Sequence, residues 1–371
     1  MNSTTKHKHE PHFHIAKRDA IVWWKAWVIR ILAVVAALVV CGVITVLLTG
    51  ENPLGVYATM IDGSFGTPRR FWSLLQNLAM LLCVSLAVTP AFKMRFWNTG
   101  AEGQVLVGGL ATAMCMILFS EKLPTPLLFV VMIVASVVAS AVWAVIPAIF
   151  RARWNTNETL FTLMMNYIAI QLVSFFTYEF SVPKGSGQIG VINRVSKIGW
   201  LPSIGKNSYL LPILIVLGLA LILFVYMRYT KQGYEISVVG ESENTAHYAA
   251  INVKRVIIRT MAICGGIAGV AGYLLAAGVG HTISTGLAGG RGFTAIVVAW
   301  LGKLNPFAMM LVAFGLVFME KGALEIASQF NLNENASEIL TGILLFFILG
   351  CEFFINYRLE FRKHEKEAVK A

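Results

Sequence analysis

Apolar runs long enough to cross a membrane recur along the chain, with short polar stretches between them. Residues 27–48, 71–91, 126–150, 159–176, 209–226, 256–277, 307–328 and 340–355 are such runs. Each approaches or exceeds the ~20 residues a helix needs to span a hydrocarbon core roughly 30 Å thick. A further run ends near Phe119 but is entered through the polar stretch 98–104. Another, 294–301, is too short to cross alone as an untilted helix. The pattern predicts an all-α polytopic membrane protein of about ten segments, with broken helices.

Charge orients the segments. Lys17, Arg18 and Lys25 precede the first run, beside Trp23, Trp24 and Trp27 at the expected interface. Lys93 and Arg95, then Arg151 and Arg153, follow the second and fourth runs, and residues 228–255 are the most charged stretch between runs. Basic flanks of this kind stay in the cytoplasm. An even count then leaves both tails inside, giving a multi-pass protein of the plasma or inner membrane. The expected layout is a cytoplasmic tail at 1–26, a transmembrane domain at 27–356 with a cytoplasmic loop at 228–255, and a cytoplasmic tail at 357–371. Segment 51–70 falls outside, with room for a short interfacial helix. Lys184, Arg194, Lys197 and Lys206 in 178–208 run against this trend.

Composition agrees with the pattern. The chain has 371 residues, 57% hydrophobic and 13% charged, against roughly 25% charged in soluble domains. Its net charge of +11 sits on membrane flanks and is not read as affinity for a nucleic acid polymer. Cys41, Cys83, Cys115, Cys264 and Cys351 fall inside apolar runs without metal-ligand spacing, as buried small hydrophobes do. His7, His9, His12 and His14 lie in a polar tail, where a metal-binding tail and a plain solvated one are both open. No cofactor or structural metal is expected.

Residues 96–110, FWNTGAEGQVLVGGL, place Asn98, Glu102 and Gln104 among four glycines inside an apolar region. At membrane depth such groups need a cavity or a partner. Two readings stand: a discontinuous helix on a transport route, or a loop turning into a helix. A second Gly-rich break, 278–293, lies in the other half, and paired breaks hint at an internal repeat around one pathway. Asn166 and Gln171 lie on the fifth run, where Asn166 faces a pathway or glues helices together. Arg291 has Glu102 or Glu320 as possible partners, or caps a broken helix. His281 reads as an outer-loop residue. Gly265, Gly266, Gly269 and Gly272 permit close helix packing.

Five stretches in order resemble the membrane permeases of bacterial nucleoside and simple-sugar ABC importers, within the branched-chain amino acid and ribose-type permease superfamily. FWNTGAEGQVLVGGLATA (96–113) resembles the FNIGAEGQ signature, and NETLFTLMMNYIA (157–169) the family's NE-start helix. GYEISVVGESENTAHYAAINV (233–253) resembles its cytoplasmic segment. GRGFTAIVVAWLGKLNP (290–306) and Asn52-Pro53 agree too. This sequence departs at Ala250, where the family has glycine, at Thr245, the first of its paired alanines, and at Trp97 and Thr99, where the signature has Phe and Ile.

The resemblance implies a second permease chain, ATP-binding cassette ATPase subunits, and an extracytoplasmic substrate-binding lipoprotein. The sequence itself has no phosphate loop of the Gly-x-x-x-x-Gly-Lys-Ser/Thr form, so the chain is read as no enzyme. The expected pathway residues, facing a small polar solute, are Asn98, Glu102, Gln104, Asn166 and Arg291. The expected ATPase-coupling helix covers 244–250, with Glu243 near its N-terminus and Asn244, Ala246, Tyr248, Ala249 and Ala250 within it; a plain solvated loop is the other reading. The leading function is the permease subunit of an ABC importer for a nucleoside or related small polar solute. An ion-gradient-driven secondary transporter is the alternative, but the intramembrane acids are few and scattered.

Overall fold

A computed structural model describes residues 13–17, 22–50, 52–181, 185–187, 189–205, 207–330 and 334–361. His7, His9, His12, Arg18, Lys184 and Lys206 lie outside the described residues. The elements are β1 (Phe13–Lys17), α1 (Trp23–Thr49), α2 (Pro53–Phe65), α3 (Pro68–Lys93), α4 (Ala101–Phe119), α5 (Thr125–Trp154) and α6 (Glu158–Glu179). Then come α7 (Leu210–Tyr229), α8 (Lys231–Glu241), α9 (Glu243–Tyr248), α10 (Val253–Tyr273), α11 (Arg291–Leu301), α12 (Pro306–Gln329), α13 (Glu334–Asn356) and β2 (Tyr357–Phe361). Among the described residues nine helices are long and apolar enough to cross a membrane, and α11 is the short one expected. The fold is all-α apart from one two-stranded sheet.

Helix starts follow local chemistry. Thr67 caps α3 by accepting the Arg70 N–H at 3.2 Å, with Pro68 in the first turn. Asn157 caps α6 in the same way, accepting from Leu160. These caps satisfy N–H groups that have no partner within their own helix. Segment 51–70, read as outer with an interfacial helix, carries α2 and the start of α3.

The chain divides into two compact units, 1–63 with 319–371, and 64–318. In the first, β1 pairs antiparallel with β2, Phe13 opposite Phe361 and Lys17 opposite Tyr357. This pairing draws the two tails together, where the sequence suggested only a polar tail before α1. Arg30 on α1 bonds Glu352 on α13 at 2.8 Å, and Cys351 and Ile355 pack against Ile29 and Ala33.

In the second unit α10 packs along α5, α4 and α3. Ser136, Ser140 and Ala144 form a buried small stripe on α5 facing Gly265 and Gly269 of α10. A Cβ on Gly269 would lie 2.6 Å from the Ser136 carbonyl oxygen, and one on Gly108 would lie 2.8 Å from Gly269 Cα. Backbones this close explain the glycines, as in small-residue membrane interfaces. Ser136 Oγ sits in the gap within hydrogen-bond distance of the carbonyls of Gly108 (2.9 Å) and Gly269 (2.7 Å), its one proton shared between them. The described cysteines are all free and buried, as expected.

After α10 the helix widens into a π-turn, Leu274–Gly280, and the chain then runs irregularly to Gly290 before α11 begins. The Ile192 N–H donates to the His281 carbonyl at 2.8 Å, and Leu201 N–H to Ala277 at 3.0 Å, so residues 189–205 fold over this end of the unit. At the other end Ala91, Phe96, Ala148, Ile236, Ala246 and Val253 share one apolar cluster, seating α8 and α9.

Candidate functional site

The two Gly-rich breaks meet. Helix α3 closes with Arg95 in the left-handed region (φ 58°), where Phe96 N–H donates to Ala91 and Arg95 N–H to Phe92. Residues 96–100 are irregular, and α4 starts at Ala101 with Gly100 as its N-cap, which has no side chain to cap with. The orphan N–H groups of this first turn are met from elsewhere. Asn166 on α6 accepts the Gly103 N–H at 2.8 Å, and its Nδ2 donates to the Thr99 carbonyl at 2.9 Å. Asn98 Oδ1 accepts from Gly100 N–H (3.1 Å) and from Gln104 Nε2 (3.2 Å). Thr99 Oγ1 donates to the Thr159 carbonyl at 3.0 Å and lies 3.0 Å from Thr162 Oγ1, so the departure from Ile ties this segment to α6.

Glu102 belongs to the first turn of α4, but its carboxylate reaches α11. Oε1 accepts the Gly290 N–H at 2.8 Å and Oε2 the Gly292 N–H at 2.7 Å. One carboxylate thus serves the positive N-terminal ends of two helices. The approach needs Gly292: a Cβ there would lie 2.7 Å from Glu102 Cα. Arg291 does not bond Glu102. Its guanidinium donates to Asn77 Oδ1 on α3 (2.9 Å) and to the Ala288 carbonyl (3.1 Å). Leu287 packs on Gly109 from the same irregular segment.

Asn98, Glu102, Gln104 and Asn166 are therefore brought together, at 0, 8, 2 and 3% exposure, with Arg291 beside them on the α11 side. Asn98 and Gln104 bond each other, while Asn166 and Glu102 bond backbone groups of the two broken segments. Asn77, Thr162, Ser136 and Ser140 escaped the sequence reading, which had Thr99 only as a departure from the signature. The Ser140 hydroxyl donates to the Gln104 carbonyl. The four-residue spacing of Ser136, Ser140 and Ala144 was the available signal; Asn77 had none.

Trp97, the second departure within the 96–113 signature, stacks on Trp300 of α11 with centroids 5.5 Å apart and meets Phe92 edge-on at 5.7 Å. Nearby stands the second site. Helix α9 covers Glu243–Tyr248, capped by Ser242, whose side chain accepts the Thr245 N–H at 3.3 Å. It is shorter than the expected 244–250, because Ala249 and Ala250 belong to its closing turn. Ile251 N–H donates to Ala246 (2.9 Å) and Ala250 N–H to His247 (3.0 Å), with Ala250 at φ 55°. This is a Schellman closure with its left-handed residue at Ala250, a position that glycine, expected there from the family resemblance, fills without strain. Only Ala246 of this helix is buried; Glu243, Asn244, Tyr248, Ala249 and Ala250 are exposed, Tyr248 at 93%. Arg151 at the end of α5 pairs with Glu158 at 3.4 Å and approaches Glu243 at 3.9 Å. The loop is an anchored knob, preceded by a further helix, α8, that the sequence reading did not separate.

Membrane-length helices around a junction of interrupted ones define a polytopic membrane protein with the build of a transport subunit. Residues 71–349 match the family model described as branched-chain amino acid transport system, permease component, and the chain belongs to that family. It is 29% identical to the glucose ABC transporter permease protein TsgB13 of Haloferax volcanii, over 92% of each chain. It is 26% identical to the nucleoside ABC transporter permease protein NupB of Lactococcus lactis subsp. cremoris, covering 89% of this chain and 91% of that one. It is 27% identical to the guanosine ABC transporter permease protein NupP of Bacillus subtilis, covering 83% and 88%.

Proposed function

We propose that this chain is the transmembrane permease subunit of an ABC importer, that it carries a nucleoside or related small polar solute, and that a separate ATPase drives it through α9. The observation that carries the coupling is the knob itself. Ala246 anchors it in the apolar cluster while Tyr248, Ala249 and Ala250 are presented to a partner. A rigid helix held at both ends transmits a push, whereas a solvated loop does not. Relatives named for glucose, nucleoside and guanosine transport support a hydroxyl-rich solute.

The side bearing α8 and α9 is cytoplasmic in this reading, with Lys93, Arg151, Arg153 and Arg228 around it, as the inside bias of basic residues requires. Both tails, joined through β1 and β2, are cytoplasmic as well. The substrate-binding lipoprotein docks on the opposite side, and a second permease chain completes the route. The route runs along the junction of α4 and α11. Asn98, Glu102, Gln104, Asn166 and Arg291 hold its wall, and solute contact requires that junction to part.

Co-purification with the partner ATPase and solute uptake test the reading together. Ala249→Trp adds bulk to the presented face, and overpacking a tight contact costs about 1–3 kcal/mol. Subunit association should weaken roughly five- to a hundredfold, with surface expression unchanged. Normal uptake and normal ATPase retention in that variant would remove α9 from the coupling role. Uptake of glucose but not of guanosine by the intact complex would overturn the nucleoside assignment while leaving the permease assignment standing.

A further inference from the structure

A cavity of about 260 Å³ lies where α3, α7, α8 and the α11–α12 turn come together. Its rim carries Lys93, Arg228 and Lys303. Among the described residues none of these three cations has an ion-pair partner. The nearby acid of α8, Glu235, is taken by Arg259 at 2.9 Å. Arg228 lies over the Phe224 ring, 5.9 Å from its centroid. Lys303 holds a fixed place because it closes α11 at φ 50°. Asn305 accepts the Phe307 N–H through Oδ1 at 3.1 Å, which leaves its Nδ2 as a donor toward the rim.

The floor is apolar and continues outward. Leu223, Phe224 and Leu304 line it, and Phe307 meets Phe224 edge-on at 5.3 Å while itself 60% exposed. Leu221 and Val225 on α7 and Leu311 on α12 are exposed beyond it, on helices of membrane length. Three unpaired cations thus stand at a helix-end level, above an apolar surface that faces hydrocarbon. The volume lies below the roughly 300–1,000 Å³ of clefts that enclose a drug-sized ligand, so it suits a headgroup rather than a whole solute.

We infer that this pocket binds the phosphodiester headgroup of an anionic phospholipid, with the acyl chains lying along α7 and α12. Basic pockets between membrane helices recognise such headgroups. Only the choice of the cytoplasmic leaflet rests on the orientation given above; binding itself does not.

The test is native mass spectrometry of the full chain in neutral detergent, titrated with phosphatidylglycerol or phosphatidylcholine. The intact chain should retain phosphatidylglycerol in preference. Each charge removed should weaken it about fivefold, and the triple variant Lys93→Gln, Arg228→Gln, Lys303→Gln about a hundredfold. Lys93→Arg should retain the lipid, which separates charge recognition from misfolding. Equal retention of both lipids, or no loss in the triple variant, would overturn the proposal. So would displacement of the lipid by millimolar inorganic phosphate or glycerol phosphate, which would mark a small-anion site. Loss of ATPase co-purification in the triple variant with lipid retention unchanged would instead make the rim a protein contact, and would also overturn it.

Discussion

Removing the Glu102 carboxylate should detach the start of α11 from α4. The carboxylate accepts two N–H groups, that of Gly290 at 2.8 Å in a part-buried bond and that of Gly292 at 2.7 Å in a buried one. Both N–H groups belong to the cap and first turn of α11, where no intrahelical acceptor exists. A hydrogen bond to a charged group is worth about 1.5–3 kcal/mol, so Glu102→Ala should cost roughly 3–6 kcal/mol. Glu102→Gln keeps one acceptor and turns an amide N–H toward the other donor, so it should cost about half as much, roughly 1.5–3 kcal/mol. A whole domain is stable by only about 5–15 kcal/mol, so the alanine variant should open this junction before the protein as a whole unfolds. Hydrogen–deuterium exchange of a peptide covering 286–294 reads the effect directly. Because Glu102 is the acceptor protecting these amides, exchange should rise about ten- to a hundredfold in Glu102→Gln, at roughly 1.4 kcal/mol per tenfold, and further in Glu102→Ala. Unchanged exchange at 286–294 in the alanine variant would show that the two helix starts are held by something else.

Three other outcomes follow from the geometry. Ala250→Gly should stabilise the protein by about 1 kcal/mol, because it relieves a left-handed alanine, and thermal unfolding of the detergent-solubilised chain should show a rise of a few degrees. Gly269→Ala should destabilise it, because its Cβ would meet backbone atoms, the Ser136 carbonyl oxygen at 2.6 Å and Val137 Cα at 2.9 Å; a melting temperature equal to that of the parent chain would contradict the packing described. His281 stacks on Trp200 with centroids 3.8 Å apart, and burial holds its pKa below the ordinary 6.5, with Ala277 pulling weakly the other way. The unfolded chain then binds the proton more readily, so this stability is full above about pH 6.5 and lost as the pH falls through the folded value. His281→Asn should flatten that part of the stability–pH curve, and an equally steep curve in the variant would exclude His281 as its source.

The spans were legible because their signal is crude: length of apolar run against membrane thickness. The 291–301 helix was legible as too short for the same reason. What escaped was whatever depends on groups distant in sequence. Helix α8 buries Gly233, Ile236, Val239 and Gly240, a helical spacing that its charged neighbours masked. Asn166 read equally well as a pathway residue or as glue, because the N–H it serves, that of Gly103, lies 63 residues away. Nothing near Asn77 announces an arginine 214 residues later.

The same distance explains how the polar residues of the break should now be understood. A polar side chain at membrane depth needs a partner or a cavity, and sequence cannot say which. Two helices that begin inside a bundle bring their own demand, since each exposes up to four N–H groups without acceptors. Glycine caps, Gly100 and Gly290, offer no side chain to meet it. Asn98, Glu102 and Asn166 meet part of that demand, accepting from Gly100, from Gly290 and Gly292, and from Gly103. Most of the polarity that marks this stretch is therefore consumed by the broken backbone. On the route proposed above, a solute that competes for it would have to break caps, so passage along this wall and movement of α11 against α4 would be one event.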